Sequence, residues 1–419
     1  MTAAEPADGY RWAVVGNGAN RRVRSFYAAA EAAGTRPPRV VEWLDVLHAG
    51  GHTFAGDELV RLDSPGEEPE VDRLLRGITD PTRVEGTARW YAGFGAAVAS
   101  LRGGCRLDDP AELAVLFDKR LCHARLAAAE VAVPESPTSG RTAPIAGWDE
   151  VREYLREPSL RRAFVKIAHG SSASGVLAIE THPSGRIRAT TSVELTPAGA
   201  LHNSLRVRRY PTEAEIAAIV DRLAPDGLHI ERWIPKSTLR GRAADLRVVV
   251  TAGRATHIVV RCASVPITNL HLGGSRGDPA AVRQIAGAHW SRALHLAEQA
   301  AACFPATLCV GVDLLPTDGW RRYVVGEVNA FGDLLPRITG LPGTPAAGLD
   351  TYAAQVAAAP RWYRAVRTAS APGGCPSGLR PTGVGGATRE VVNAVPSTER
   401  APAPDSSPRP AGFFPGPRR

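Results

Sequence analysis

The stretch Phe164-Val165-Lys166-Ile167-Ala168-His169-Gly170-Ser171-Ser172-Ala173-Ser174-Gly175-Val176 sets a lysine near the end of an apolar run and follows it with a loop of small residues. That combination suits a polyphosphate. Glycine lets backbone N–H groups approach closely, hydroxyls add donors, and the ammonium supplies a point charge. An ordinary Ser/Gly hairpin loop with an incidental lysine would look the same, and the Gly-x-x-x-x-Gly-Lys-[Ser/Thr] phosphate loop is absent. A second constellation is Asp313, followed on the next predicted strand by Glu327-Val328-Asn329. Glu327 and Asn329, two apart, share one face of a strand, and Asp313 can oppose them across a hairpin. Two acids and an amide so placed would suit Mg²⁺, which takes oxygen ligands; arginine-paired strand ends are the plainer alternative.

Glu231-Arg232-Trp233-Ile234-Pro235-Lys236 runs from an acid through apolar residues into a proline, as an adenine-binding linker between two lobes would. Asp245, Arg247 and Arg261 follow on predicted strands, and the two arginines alternate suitably to face one cleft and stabilise a transferring phosphoryl. Only three of the 50 basic residues are lysines, Lys119, Lys166 and Lys236. Where arginine is the default, a lysine marks a position that can call for a compact ammonium.

These residues need elements to hold them. An apolar run at 12–15, the turn Gly16-Asn17-Gly18-Ala19-Asn20 and a helical stretch to 33 read as strand, turn, helix, and 39–47 as the next strand. Helices are expected over 84–101 and 110–130, the second capped by Asp108 or Asp109. Strands are expected at 163–167, 176–180, 228–234, 246–251, 257–260, 309–315 and 323–328, the last two forming an antiparallel hairpin, with one long helix at 279–302. The segment beyond 367, dominated by Pro, Gly, Ser, Ala and Thr, is expected to be disordered.

At 419 residues, 44% hydrophobic and 22% charged, the chain has the size and composition of a multidomain globular enzyme. No apolar run approaches a membrane span, no basic segment opens the chain, and the six cysteines form no Cys-x-x-Cys pair, which together point to a reducing cytoplasm. The net charge of +8 is spread along the chain, so a phosphate-rich small ligand fits it better than a nucleic acid.

The order of the motifs resembles the ATP-grasp superfamily, closest to its RimK-like branch of amino acid ligases. It runs Lys119, the Lys166 loop, the Glu231 linker, Asp245 and Arg247, Arg261, Asn269-Leu270-His271-Leu272-Gly273-Gly274, then Asp313, Glu327 and Asn329. The resemblance covers roughly residues 111–340. It implies an α+β ATP-grasp fold, two α/β lobes gripping ATP, preceded by a small Rossmann-like α/β domain that often helps bind the acceptor. The expected divisions are a Rossmann-like domain over 1–110, a small lobe over 111–225, a catalytic lobe over 226–365 and a tail over 366–419. Lys119 and Lys166 would bind the ATP phosphates with Ser171, Ser172, Ser174 and Gly175. Glu231, Arg232, Trp233 and Ile234 would hold the adenine, with Asp245 near the ribose. Arg247 and Arg261, with Lys166, would serve the reacting phosphoryl and acyl groups, and Asp313, Glu327 and Asn329 would bind two Mg²⁺, for which Mn²⁺ can substitute. His169 and the Phe331-Gly332-Asp333 ending depart from the family pattern on the substrate side.

The resemblance thus implies an ATP- and Mg²⁺-dependent carboxylate–amine ligase working through an acyl phosphate on a small-molecule or peptide carboxylate and an amine, with a homo-oligomer left open. Two alternatives are an ATP-grasp kinase acting on a hydroxyl and a basic nucleic-acid-binding protein. A dinucleotide-binding reading of Gly16-Asn17-Gly18 lacks its third glycine, since Arg21 stands there, and His48 and His52 flank two glycines and do not read as a helical metal pair.

Overall fold

In the computed structural model, which describes residues 10–171 and 173–370, three sheets carry the chain. The first is parallel, in the order Arg39–Glu42, Arg11–Gly16, His52–Leu62, Leu101–Arg106. Asn20 starts the helix that follows the first strand by accepting from Arg22 N–H at 2.8 Å. The expected strand over 39–47 stops at Glu42, and Trp43–Ala49 is a helix that buries Trp43 and Val46, a spacing of three that suits a helical face. The long strand His52–Leu62 and the strand Leu101–Arg106 carry glycines and charges that mask their alternation in the sequence.

A five-stranded antiparallel sheet forms the second layer, in the order Leu201–Tyr210, Ile187–Leu195, Val176–Thr181, Arg162–Ile167, Leu228–Arg232. Because Leu228–Arg232 pairs inside this sheet, the chain crosses to the next lobe only after Arg232, later than the boundary at 226. The third sheet is antiparallel, in the order Ser275–Gly277, Arg254–Ala263, Arg242–Thr251, Cys309–Thr317, Arg322–Ala330, with the short Thr238–Leu239 beside Arg242–Thr251.

Two expected helices are each broken. The stretch 110–130 divides into Pro110–Leu116 and Lys119–Ala128, because Asp118 accepts from the N–H groups of Arg120 (2.9 Å) and Leu121 (3.4 Å) and so begins a second helix. Asp109 caps the first. The stretch 279–302 divides at Gly287 into Pro279–Ala286 and Trp290–Ala302. The helix Thr351–Ser370 runs past the expected tail boundary at 366, and 371–419 lie outside the described residues.

The cores show how the sheets are joined. The five-stranded sheet has its own core with Trp148, Ile216 and Ile219. The parallel sheet and the six-stranded sheet instead share two, one containing Phe94, Val248 and Trp290, the other Phe26, Val249 and Tyr352. The small lobe is held to the parallel sheet's layer partly by polar contacts. Asp226 accepts from Gly86 N–H (2.8 Å) and Ala88 N–H (2.9 Å), capping the helix Thr87–Ser100 from another lobe, and Asn203 N–H donates to Thr82 C=O at 2.7 Å. No helix among the described residues is long and apolar enough to cross a membrane.

Asp226→Ala removes a buried cap that no local side chain replaces, so it should lower stability by about 1–2 kcal/mol in urea unfolding, with Asp226→Asn retaining part of it. An unchanged midpoint would show that the small lobe is held by other contacts.

Candidate active site between the two antiparallel sheets

A cleft lies where the small-lobe sheet faces the six-stranded sheet. Its walls bring together Lys119, Lys166, Ser171, Ser174, Glu231, Arg232, Ile234, Asp245, Arg247, Arg261, Asp313, Glu327 and Asn329 from segments up to about 200 residues apart.

The small-residue loop folds tightly onto the end of its strand. A Cβ at Gly170 would meet Ile167 Cγ1 at 2.4 Å, so this position accepts only glycine without rearrangement. Ala168 N–H donates to Gly227 C=O (2.9 Å) and Ala168 C=O accepts from Lys119 N–H (3.0 Å), which docks the start of the helix Lys119–Ala128 against the loop. Lys119 Nζ then reaches both Gly170 C=O and Glu327, each at 2.6 Å, spanning from the loop to the opposite lobe. The break in the helix at Asp118 is what places this lysine. His169 is buried beneath the loop, stacked on Tyr91 at 4.0 Å and bonded through Nδ1 to Phe117 C=O at 3.0 Å. Burial pushes its pKa down, leaving a neutral ring that anchors the loop to the helix Thr87–Ser100.

Lys166 is paired with Glu231 across adjacent strands, where the Cα partners are Lys166↔His229 and Phe164↔Glu231. Burial would raise the Glu231 pKa, but Lys166 and the hydrogen bond from His229 outweigh it and hold it at about 2. His229 Nε2 lies 3.5 Å from Glu231, and its Nδ1 is 3.1 Å from Thr138 Oγ1.

On the opposite wall, Asp313 and Glu327 are Cα partners across the hairpin. A bulge at Gly326 shifts the register, so that Glu327 pairs with Asp313 but Val325 with Leu314. The shift turns Glu327 and Asn329 toward the cleft and Val325 and Tyr323 to the sheet's other face, into the core with Leu314. Asp313 accepts from Arg247 Nε and, at 3.0 Å, from Arg247 Nη2, and lies 3.0 Å from Arg261 Nη2. Burial acts to raise its pKa, yet the two guanidiniums hold its carboxyl well below the ordinary range. Arg261 Nε also donates to Asp245 at 2.6 Å, and Arg247 Nη1 to Asp333 at 2.8 Å. Asn329 Nδ2 donates to Gly311 C=O at 3.2 Å, which leaves its Oδ1 free to act as a ligand.

Some expected residues stand apart. Trp233 does not line the cleft; it packs on Phe164 with centroids 5.3 Å apart and lies under Arg162. Gly175, at φ +66°, shapes the loop from behind, against Ile167. Ser172 lies outside the described residues. Others were missed: Phe164, Val176, Ile267 and Leu315 supply apolar walls, and Lys236 and Thr268 join Asp245 through contacts of 3.5 Å from Lys236 Nζ to Asp245 and 2.5 Å to Thr268 Oγ1. Burial pushes the Lys236 pKa down. Its rarity among arginines was the one signal in the sequence; Asp333 was marked only as a departure.

The described residues hold no cluster of three His, Cys, Asp or Glu side chains able to bind a metal, so a cation at the hairpin would rely on Asp313, Glu327, the Asn329 amide and oxygens from its ligand. The glycine turn of the parallel sheet is closed to a dinucleotide. Glu42 accepts from Gly18 N–H at 2.9 and 3.1 Å, occupying the donor a pyrophosphate would need.

No protein-family model matches the chain, and no curated protein matches it. Among the solved structures it is similar to are ligases and a synthase. The ligase PsnB complexed with a minimal precursor superposes with a TM-score of 0.45 at 14% identity, over 84% of this chain and 99% of that one. D-alanine–D-alanine ligase from Bacillus anthracis gives 0.40 at 11% identity, over 77% and 86%. N5-carboxyaminoimidazole synthase from Aspergillus clavatus, in complex with ADP and its ribonucleotide, gives 0.40 at 12%, over 77% and 70%.

Since the folded-state pKa of Glu231 lies below its ordinary 4.5, the stability its pairing contributes is complete above about pH 4.5 and is lost as pH falls toward about 2. Lys166→Met strands the buried Glu231 and should cost about 3–5 kcal/mol at pH 7 in urea unfolding. A loss under about 1 kcal/mol would mean that His229 and Thr138 suffice to hold the carboxylate.

Proposed function

We propose that the chain is an ATP- and Mg²⁺-dependent ligase of the ATP-grasp type that joins a carboxylate to an amine. The observation that carries this reading is the charge array of the cleft: two hairpin carboxylates, Asp313 and Glu327, each held by cations from other segments, Arg247 and Arg261 on one and Lys119 on the other. A polyphosphate with its cation can enter such an array by exchange. Asp313 and Glu327 would hold the Mg²⁺, and Arg247, Arg261 and Lys119 would then be available to the phosphates, so that no buried charge would be left bare. Assignment to the RimK-like branch rests on the sequence resemblance.

Lys119 and Lys166 fit the phosphates from the loop side, with Ser171, Ser174 and the Gly170 backbone closing over them. Arg232 N–H and Trp233 N–H already donate to Glu135 C=O (2.8 Å) and Arg162 C=O (2.9 Å), so the base-edge contact falls to Ile234, with Phe164, Val176 and Leu315 as the apolar sandwich. Trp233 supports that sandwich from outside through Phe164. Asp245, flanked by Lys236 and Thr268, suits the ribose hydroxyls. Mg²⁺ bound at Asp313, Glu327 and Asn329 would neutralise the β- and γ-phosphate oxygens.

In the reaction the substrate carboxylate attacks the γ-phosphorus. The bond to the bridging oxygen breaks, ADP leaves, and an acyl phosphate forms. The amine then attacks the acyl carbon, phosphate departs with the C–O bond electrons, and the amine proton is released. The protein supplies no nucleophile. Arg247 and Arg261, fixed by Asp333 and Asp245, position and stabilise the charge on the transferring phosphoryl.

Calorimetry of ATP with and without Mg²⁺ should show Mg²⁺-dependent binding in the wild type and its loss, by more than about tenfold, in Lys166→Ala and Glu327→Ala. Unchanged binding in both variants would overturn the nucleotide site. Once binding is established, amide and free phosphate as products identify a ligase, whereas a phosphorylated substrate with no free phosphate would assign the cleft to a kinase. Asp333→Asn loosens one end of Arg247 and should lower turnover with little change in ATP affinity; an equal fall in both would place Asp333 in nucleotide binding instead.

A further inference from the structure

A second groove lies on the face of the six-stranded sheet opposite the cleft, between the helix Trp290–Ala302 and the start of the strand Arg322–Ala330. The Gly326 bulge creates it by turning Tyr323 to this side. The groove is lined by Ser291, Arg292, His295, Leu296 and Gln299 along the helix, and by Arg321, Arg322 and Tyr323 across from it.

Three features point to an acidic occupant. The charged lining is three arginines and no acid. Arg321 and Arg322 lean on a single nearby carboxylate, Asp318, at 2.9 and 3.7 Å, and Arg292 and His295 have no ion-pair partner among the described residues. Second, Tyr323 is 93% buried and its Oη, closed off behind the groove wall, has no hydrogen-bond partner among the described residues, an orphan donor that a shift of the wall would expose. Burial pushes its pKa up to about 12, so it remains a protonated donor. Third, the helix residues lie on one stripe from 291 to 299, roughly 12 Å long at about 1.5 Å per residue, which matches three to four residues of extended chain and exceeds a single phosphate. The chain's own segment 371–419 is a poor occupant by charge, with six arginines against three acids.

We propose that this groove docks an acidic peptide segment of a partner polypeptide, its carboxylates engaging Arg292, Arg321 and Arg322. The groove is remote from the cleft, and the inference stands independently of the ligase reading.

The test is fluorescence anisotropy of a labelled hexaglutamate peptide with the full chain, using hexaglutamine as control. Wild type should bind hexaglutamate and not hexaglutamine, with affinity falling as salt rises. Arg292→Ser/Arg322→Ser, both exposed positions, should weaken binding by about tenfold or more. Arg36→Ser, an exposed arginine outside the groove, should leave it unchanged. Absent binding, equal binding by the groove variant, or an equal loss in Arg36→Ser would each overturn the proposal. Inorganic phosphate competing at concentrations as low as the peptide's would reassign the groove to a single anion, and a DNA oligonucleotide binding more tightly through the same arginines would reassign it to nucleic acid.

Discussion

Buried charge must be paired, and in this protein that constraint organises the centre of the molecule. An isolated ion in a cleft of this kind costs several kcal/mol, so each carboxylate there is met by a cation from a different part of the chain. Asp313 takes Arg247 and Arg261, Arg261 also takes Asp245, Glu327 takes Lys119, and Glu231 takes Lys166. The pairings tie the parallel layer's end, the small lobe and the six-stranded sheet to one point. On the proposed reading they also make the site exchangeable, because phosphate or a divalent cation would replace each ion's partner.

The backbone devices that set up those pairs are few. Asp118 breaks one helix and begins another, which lifts Lys119 to the loop. The bulge at Gly326 turns the strand Arg322–Ala330 over, so that one end feeds acids to the cleft and the other feeds Tyr323 and Val325 to the opposite face. One irregularity thereby creates both the carboxylate wall and the basic groove behind it. The sharing of cores follows a similar division: the parallel and six-stranded sheets are fused, while the small lobe keeps a largely separate core and meets its neighbours through Asp226, Asn203 and His169 and through the apolar contacts of Val84 and of Ile267 and Leu272 with Val176.

Chemistry was legible in the sequence where it depends on residue type and short spacing. Lys166 with its small-residue loop, Glu327 two residues before Asn329, and the rarity of lysine all hold within a few residues of one another, where strand periodicity fixes which side chains share a face. The hairpin that opposes Asp313 to Glu327 was legible for the same reason, since the turn Pro316-Thr317-Asp318-Gly319 announces it. What the sequence could not decide are relations set by packing. Trp233 looked like an adenine wall but is turned to the outside of Phe164, and Lys236, Thr268 and Asp333 enter the site through contacts 9 to 86 residues apart. Strands such as His52–Leu62 hid behind charged residues that only burial in a shared sheet makes tolerable, and the partner of each buried charge was chosen by the fold, because that choice is a matter of distance in space and no local pattern encodes it.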